Sequence, residues 1–305
     1  AILDMRLYKL IGLEIEALQA EHEETMKNIA LYKDILDNYD SMAAVIIKDM
    51  DAIKKEYGRK RRTAIENAEE AVYEEKKMEE MEVCFLMDRF GYMKLIDKNA
   101  YERNKEAVHN ENKYVFNCMN TDKICIFTDK GKMHTIKAVD IPLGRFRDKG
   151  TPVDNLSNYD SSQERMLYVA PVGQLRSDRL LFVTKTSMCK LVEGAEFDVA
   201  KRTIASTKLA DEDELIFIGS ASEMEQIVLQ SHGGCFLRFL TQEVSTMKKT
   251  ALGVRGMKLA DDDYLEHAYL LAGHQEYTIS YHDKEYALNK VRLAKRDTKG
   301  IKPRI

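Results

Sequence analysis

Two kinds of apolar pattern divide the chain. From Ala43 the apolar positions fall at Ala43, Ile46, Met50, Ile53 and Tyr57, spacings of three and four that predict a helix with a coiled-coil seam. An earlier stripe of Leu3, Leu7, Leu10, Leu18, Met26, Ile29 and Leu36 predicts a second helix. Between them Asp37-Asn38-Tyr39-Asp40-Ser41 reads as a turn, with Asp40 or Ser41 capping the helix that follows. An antiparallel pair is expected. So narrow a pair exposes apolar side chains, so a partner helix or a second copy of the chain is expected to cover them, with Leu3, Leu7 and Leu10 as dimerisation residues.

Beyond Val83 the pattern becomes one of short apolar runs, each followed by a tight turn and a second run carrying a basic or polar residue. The runs are Cys84–Met87, Ile124–Phe127, Leu180–Val183, Gln226–Leu229 and Tyr277–Ser280. They turn at Gly91, Gly131, near Ser187, at Gly233-Gly234 and near Lys284, so the period is 40, 56, 46 and 51 residues. One small sheet cannot bury its own face. Five such units therefore predict a propeller-like, all-β arrangement of about five blades, placed after an α-helical pair.

Charge sharpens the boundary. Residues 1–82 carry 13 Lys+Arg against 20 Asp+Glu, a net of −7, and residues 83–305 carry 34 against 31, a net of +3. Eight of the acids lie within 66–82, opposed only by Lys76 and Lys77, which reads as a charged linker. The expected organisation is a helical segment over 1–65, an acidic linker over 66–82 and a β domain over 83–305. Before the linker, Arg59-Lys60-Arg61-Arg62 is either a solvated helix end or a phosphate contact. The chain, 44% hydrophobic with 15 Gly and 4 Pro, is neither collagen-like nor disordered in composition. No uninterrupted apolar stretch reaches the length of a membrane span, and a cytoplasmic protein without membrane contact is expected.

Five cysteines stand singly, without a CxxC spacing, and are expected to be buried thiols rather than metal ligands or disulfides. Asp261-Asp262-Asp263 reads as a solvated turn, since consecutive side chains do not point one way. No GxSxG, HExxH or phosphate-binding Gly-rich loop occurs.

Basic residues recur after the turns. Lys94, Lys130, Lys132, Lys190 and Arg238 occupy similar points of successive units, and Arg145, Arg147, Lys149, Lys248, Lys249, Arg255 and Lys258 add to them. On a curved rim such a string of cations fits nucleic-acid phosphates; the alternative is that lysines beside strands blunt sheet edges.

Read together, these segments resemble the C-terminal half of the A subunit of bacterial type IIA topoisomerases, the family of DNA gyrase and topoisomerase IV. The resemblance lies in Ala1-Ile2-Leu3-Asp4-Met5-Arg6-Leu7 with Leu10 and Gly12-Leu13-Glu14, in Arg61-Arg62-Thr63-Ala64-Ile65, and in Gly91-Tyr92-Met93-Lys94. It continues through Ile141-Pro142-Leu143, Gly150-Thr151-Pro152-Val153 and Gly253-Val254-Arg255-Gly256-Met257-Lys258-Leu259. The resemblance implies a coiled-coil exit-gate segment and a β-pinwheel, a propeller relative whose blades exchange strands. The partners it implies are double-stranded DNA, a second copy of the chain and an ATPase B-type subunit.

Gyrase A subunits carry a Gln-Arg-Arg-Gly-Gly-Arg-Gly-like heptad in the loop of the first blade. Here that stretch reads Arg103-Asn104-Lys105-Glu106-Ala107-Val108-His109-Asn110-Glu111, without glycine. The second blade's Gly144-Arg145-Phe146-Arg147-Asp148-Lys149-Gly150 is only a loose echo. The expected function is accordingly non-specific binding and bending of duplex DNA for relaxation or decatenation, as in topoisomerase IV. Wrapping for negative supercoiling and a protein-binding propeller scaffold are the alternatives. The family's nucleophilic tyrosine lies upstream of the coiled coil, so no catalytic residue is assigned here. Its ATP and magnesium belong to the partner subunit, and no cofactor is expected on this chain.

Overall fold

The computed structural model describes residues 13–63, 79–273 and 276–303. The chain divides into two compact units, 1–76 and 77–305. Leu3, Leu7, Leu10 and most of the acidic stretch lie outside the described residues. No helix among the described residues is long and apolar enough to cross a membrane.

In the first unit α1 (Leu13–Asp37) and α2 (Tyr39–Tyr57) are separated by Asn38 alone. Its backbone is extended (φ −119°, ψ 115°), and its side-chain oxygen accepts from the Asp40 amide at 3.2 Å. Asn38, rather than Asp40 or Ser41, is thus the cap, because its carboxamide reaches the second amide of the following helix. The Ser41 hydroxyl turns back and donates to the Asp34 carboxylate at 2.6 Å. The antiparallel packing expected of the pair is not found among the described residues. No described side chain of α1 or α2 is buried, and Ile46, Met50, Ile53 and Tyr57 form an exposed stripe.

Among its described residues the second unit contains five antiparallel hairpins. The first joins β1 (Glu82–Asp88) to β2 (Tyr92–Asp97), and the second joins β4 (Lys123–Thr128) to β5 (Lys132–Lys137). The third joins β8 (Arg179–Thr184) to β9 (Met188–Glu193), and the fourth joins β12 (Gln226–Ser231) to β13 (Phe236–Leu240). The fifth, β16 (Thr278–Tyr281) with β17 (Lys284–Ala287), stands as a two-stranded sheet. The first strand of each of the first four hairpins reads as a near-continuous apolar run because both its faces are covered. Phe85 faces the second blade while Cys84 and Leu86 face the two short helices α3 (Lys98–Arg103) and α4 (Lys105–Glu111). Phe127 and Phe182 meet in the core between the second and third blades. Each fully buried phenylalanine contributes about 1.5–3 kcal/mol.

Each of the first four hairpins receives a third strand beside its first: β3 (Asn112–Met119), β7 (Met166–Pro171), β11 (Leu215–Ser220) and β15 (Leu265–Leu271). These third strands neighbour one another in succession, so the sheets converge there. The opposite edge of each of these four sheets meets a short segment from the next repeat. β6 (Thr151–Pro152) follows the second hairpin in the chain but pairs with β2. β10 (Thr203–Ala205) follows the third hairpin and pairs with β5, and β14 (Val254–Arg255) follows the fourth and pairs with β9. Ile301, after the fifth hairpin, bridges Phe236 in the same way. Blades are therefore stitched to their predecessors at the diverging edge.

Glycine makes the stitch possible. Gly150, Gly253 and Gly300 precede three of these segments at φ +80°, +107° and +70°. A Cβ there would lie 2.6, 2.7 and 2.8 Å from the carbonyls of Met93, Cys189 and Phe236.

Candidate nucleic-acid interface

The basic residues on the second strands do not form an open rim. Lys190, on β9, is buried, and its ammonium donates to the carbonyls of Lys249 at 2.8 Å and Ala251 at 2.6 Å. Lys94, on β2, does the same for Phe146 and Asp148, the latter at 2.6 Å. Arg238, on β13, donates to the carbonyls of Asn289 and Val291 and to the Gln226 side chain. These three cations hold the loops that carry the chain back to the preceding blade. Burial lowers the Lys94 ammonium from its usual pKa and pulls that of Lys190 down to about 8, against the pull of Glu196. The expectation that Lys94, Lys190 and Arg238 lie on an open surface is corrected here: carbonyls some 50 residues downstream turn them inward. In the second blade the corresponding position is the buried His134, whose ring contacts Glu164 at 3.0 Å and Thr203 at 3.1 Å.

Four more of the expected cations are already engaged. Lys130 pairs with Glu214 at 3.2 Å, Lys132 with Glu164 at 2.7 Å, and Arg255 with Asp297 at 2.5 Å. The Lys249 ammonium donates to the Glu196 carbonyl at 2.8 Å. The hydrogen bond and charge of Asp297 hold the Arg255 guanidinium above its ordinary pKa, and Arg255 in turn holds Asp297 below its own. Arg145, Arg147, Lys149, Lys248 and Lys258 are exposed, and none of them forms a salt bridge with a described carboxylate.

Four exposed cations share one position in their loops. Each returning loop starts from a buried apolar residue that ends or directly follows a 3-10 turn: Ile141, Phe197, Val244 and Val291. Four residues later stand Arg145, Lys201, Lys248 and Lys295, all exposed and all without a salt-bridge partner among the described residues. The topology places these four at the same diverging edge of successive sheets. Lys201 and Lys295 escape a reading that looks for basic residues just after hairpin turns. The spacing of four from an apolar anchor is the signal that finds them, and it is visible in the sequence.

The stretch 103–111, read as a loop, is the end of α3 together with α4, and α4 packs Val108 under the first blade. All five cysteines are free, four of them buried, and burial pushes the thiols of Cys118, Cys125 and Cys189 up to about 12. Among the described residues no group of three or more His, Cys, Asp or Glu could hold a metal ion. Asp263 is taken up by the amides of Gly233 at 2.8 Å and Tyr264 at 2.9 Å.

Residues 122–161, 178–222 and 225–272 match the family described as DNA gyrase C-terminal domain, beta-propeller. The chain is 32% identical over 267 residues to the DNA gyrase A subunit of Clostridium acetobutylicum, covering 84% of this chain and 32% of that protein. The second unit is a C-terminal domain of the type IIA topoisomerase A-subunit family. This topoisomerase-type domain is similar to the crystal structure of the C-terminal domain of DNA topoisomerase IV. The TM-score is 0.65 at 22% identity, over 73% of this chain and 72% of that one. It is also similar to a DNA gyrase A C-terminal domain, with a TM-score of 0.50 at 18% identity over 72% and 76% of the two chains. These likenesses show the fold, a β-pinwheel in which neighbouring blades exchange strands. The chain spans about a third of the length of the curated relatives it matches.

Proposed function

We propose that the β-pinwheel binds and bends duplex DNA without sequence preference, steering a segment for strand passage by a type IIA topoisomerase in the bacterial cytoplasm. The observation that carries this reading is the recurrence of an exposed, unpaired cation at one topological position of four successive loops. Cations repeated along one edge suit phosphates, which repeat along a duplex and carry no sequence information. The catalytic tyrosine, ATP and magnesium would belong to other parts of the enzyme, the nucleotide and metal to an ATPase B-type subunit. The exposed stripe on α2 supports pairing of the helical unit with a second copy at the exit gate.

Fluorescence anisotropy of the full chain on duplexes of about 20 and 100 base pairs, across a salt series, tests the reading. Four phosphate contacts give a slope of log K against log salt of about −3.6, so affinity should fall about 150-fold between 50 and 200 mM salt. Tighter binding to the longer duplex supports a bending edge. A flat slope or no binding favours a protein-binding scaffold and removes the DNA reading.

Between relaxation or decatenation and wrapping, the helical 103–111 stretch, with no glycine-rich heptad, favours the former. The name of the curated relatives, the A subunit of DNA gyrase, favours the latter. Sealing a nicked plasmid with ligase in the presence of the chain separates them. An unchanged linking number supports bending without wrapping, and a shifted one supports wrapping.

A further inference from the structure

Phe90 stands at the tip of the first hairpin and is 87% exposed, more than any other large apolar side chain among the described residues. A ring so placed forgoes the burial that stabilises other large apolar side chains. The turn that presents it is firmly built. The Asp88 carboxylate accepts from the amides of both Phe90 at 2.8 Å and Tyr92 at 2.9 Å, and Gly91 supplies the φ of +83° that the turn needs. The corresponding residues in the next three turns are Lys130, Thr186 and Gly233, and the fifth turn is His282-Asp283. A phenylalanine here is therefore peculiar to the first blade.

Its surroundings are cationic. Phe90 borders an open cavity of about 640 Å³ together with Arg89, Arg147 and Lys149, all exposed. Lys149 also lies 4.7 Å from the Tyr92 ring. Of the carboxylates on the cavity wall, Asp88 is held by its turn and Asp148 accepts from the Arg145 amide, while Glu111 is exposed. An apolar ring held out between cations suits a surface that presents phosphates outside and apolar faces within. A stacked nucleic-acid duplex is such a surface.

We propose that Phe90 is an intercalating wedge: it enters one base step of duplex DNA, unstacks it and kinks the duplex at the first blade, while Arg89, Arg147 and Lys149 hold the flanking phosphates. The step would be a flexible pyrimidine–purine step, which kinks at least cost. This inference rests on the reading that the β-pinwheel binds duplex DNA. It adds the element that would turn binding into a localised bend.

The test uses the full chain and a duplex of about 20 base pairs with one TA step between stiff A-tracts. Donor and acceptor dyes at the ends report bending, and 2-aminopurine at the step reports unstacking. The wild type should shorten the end-to-end distance and raise the 2-aminopurine signal. Phe90→Ala should lose both changes while keeping the same salt slope and binding within about tenfold, and Phe90→Leu should retain most of both. Bending by Phe90→Ala equal to wild type overturns the wedge. So does binding by the wild type without distortion, although DNA binding itself then stands. Absence of any binding by the wild type overturns both readings.

Discussion

The ammonium of Lys190 lies 2.8 Å from the main-chain carbonyl oxygen of Lys249, a residue of the loop that returns from the fourth blade to the third. Lys190 is turned inside the fold to hold this loop, and Lys248, next to Lys249 in the same loop, is held outside it. The same division holds in the first blade, where Lys94 anchors the loop that exposes Arg145.

Replacing Lys190 by Met should expose this division. The substitution leaves the Ala251 carbonyl without its donor, while that of Lys249 keeps the Lys208 amide at 3.1 Å, and an unmet acceptor costs about 1–3 kcal/mol. A lowered urea midpoint with an unchanged m value is the expected outcome. Lys248→Gln, on the exposed side, should change the unfolding free energy by less than about 0.5 kcal/mol.

Gly253→Ala probes the strand exchange. The residue is at φ +107°, and the new Cβ would meet the Cys189 carbonyl at 2.7 Å. A loss of about 1–2 kcal/mol is expected from the backbone conformation alone. Hydrogen exchange should show faster opening of the Val254–Arg255 segment than in the wild type, and equal protection would contradict its role.

Glu214 links two hairpin tips, accepting from Lys185 at 3.1 Å and Lys130 at 3.2 Å. The hydrogen bond from Lys185 is the larger cause that holds its carboxyl below the ordinary value of 4.5; burial opposes it and Lys130 assists. A depressed carboxylate stabilises the fold at pH above 4.5, and that contribution is lost as pH falls through the folded value. Melting temperatures between pH 6 and pH 3 should fall more steeply for the wild type than for Glu214→Gln. Parallel curves would show that the two lysines do not stabilise the charged form.

How much of this was open to a reader of the sequence differs by element. Runs such as Cys84–Met87 and Leu180–Val183 announce the hairpins because burial on both faces leaves them apolar without interruption. The exchanged strands give no such signal. Thr151-Pro152 and Val254-Arg255 are too short for any periodicity, and only the glycine before each marks the spot. Lys94 and Lys190 mislead for a related reason. A lysine on a strand reads as solvent-facing, and the carbonyls that bury its charge arrive more than 50 residues later. The helix break is visible as a polar cluster, but the cap expected at Asp40 or Ser41 falls instead on Asn38, whose side chain reaches the Asp40 amide. Arg145, Lys201, Lys248 and Lys295 were legible all along, as cations four residues beyond an apolar anchor.

The central claim is that these four cations contact phosphates together. The most direct test replaces them at once, Arg145→Gln, Lys201→Gln, Lys248→Gln and Lys295→Gln, and repeats the anisotropy salt series on a duplex of about 100 base pairs. At a slope of about 0.9 for each contact, the quadruple variant should show a salt dependence shallower than wild type by about 3.6. A slope equal to that of the wild type would contradict the account and place the DNA contacts, if any, elsewhere on the molecule.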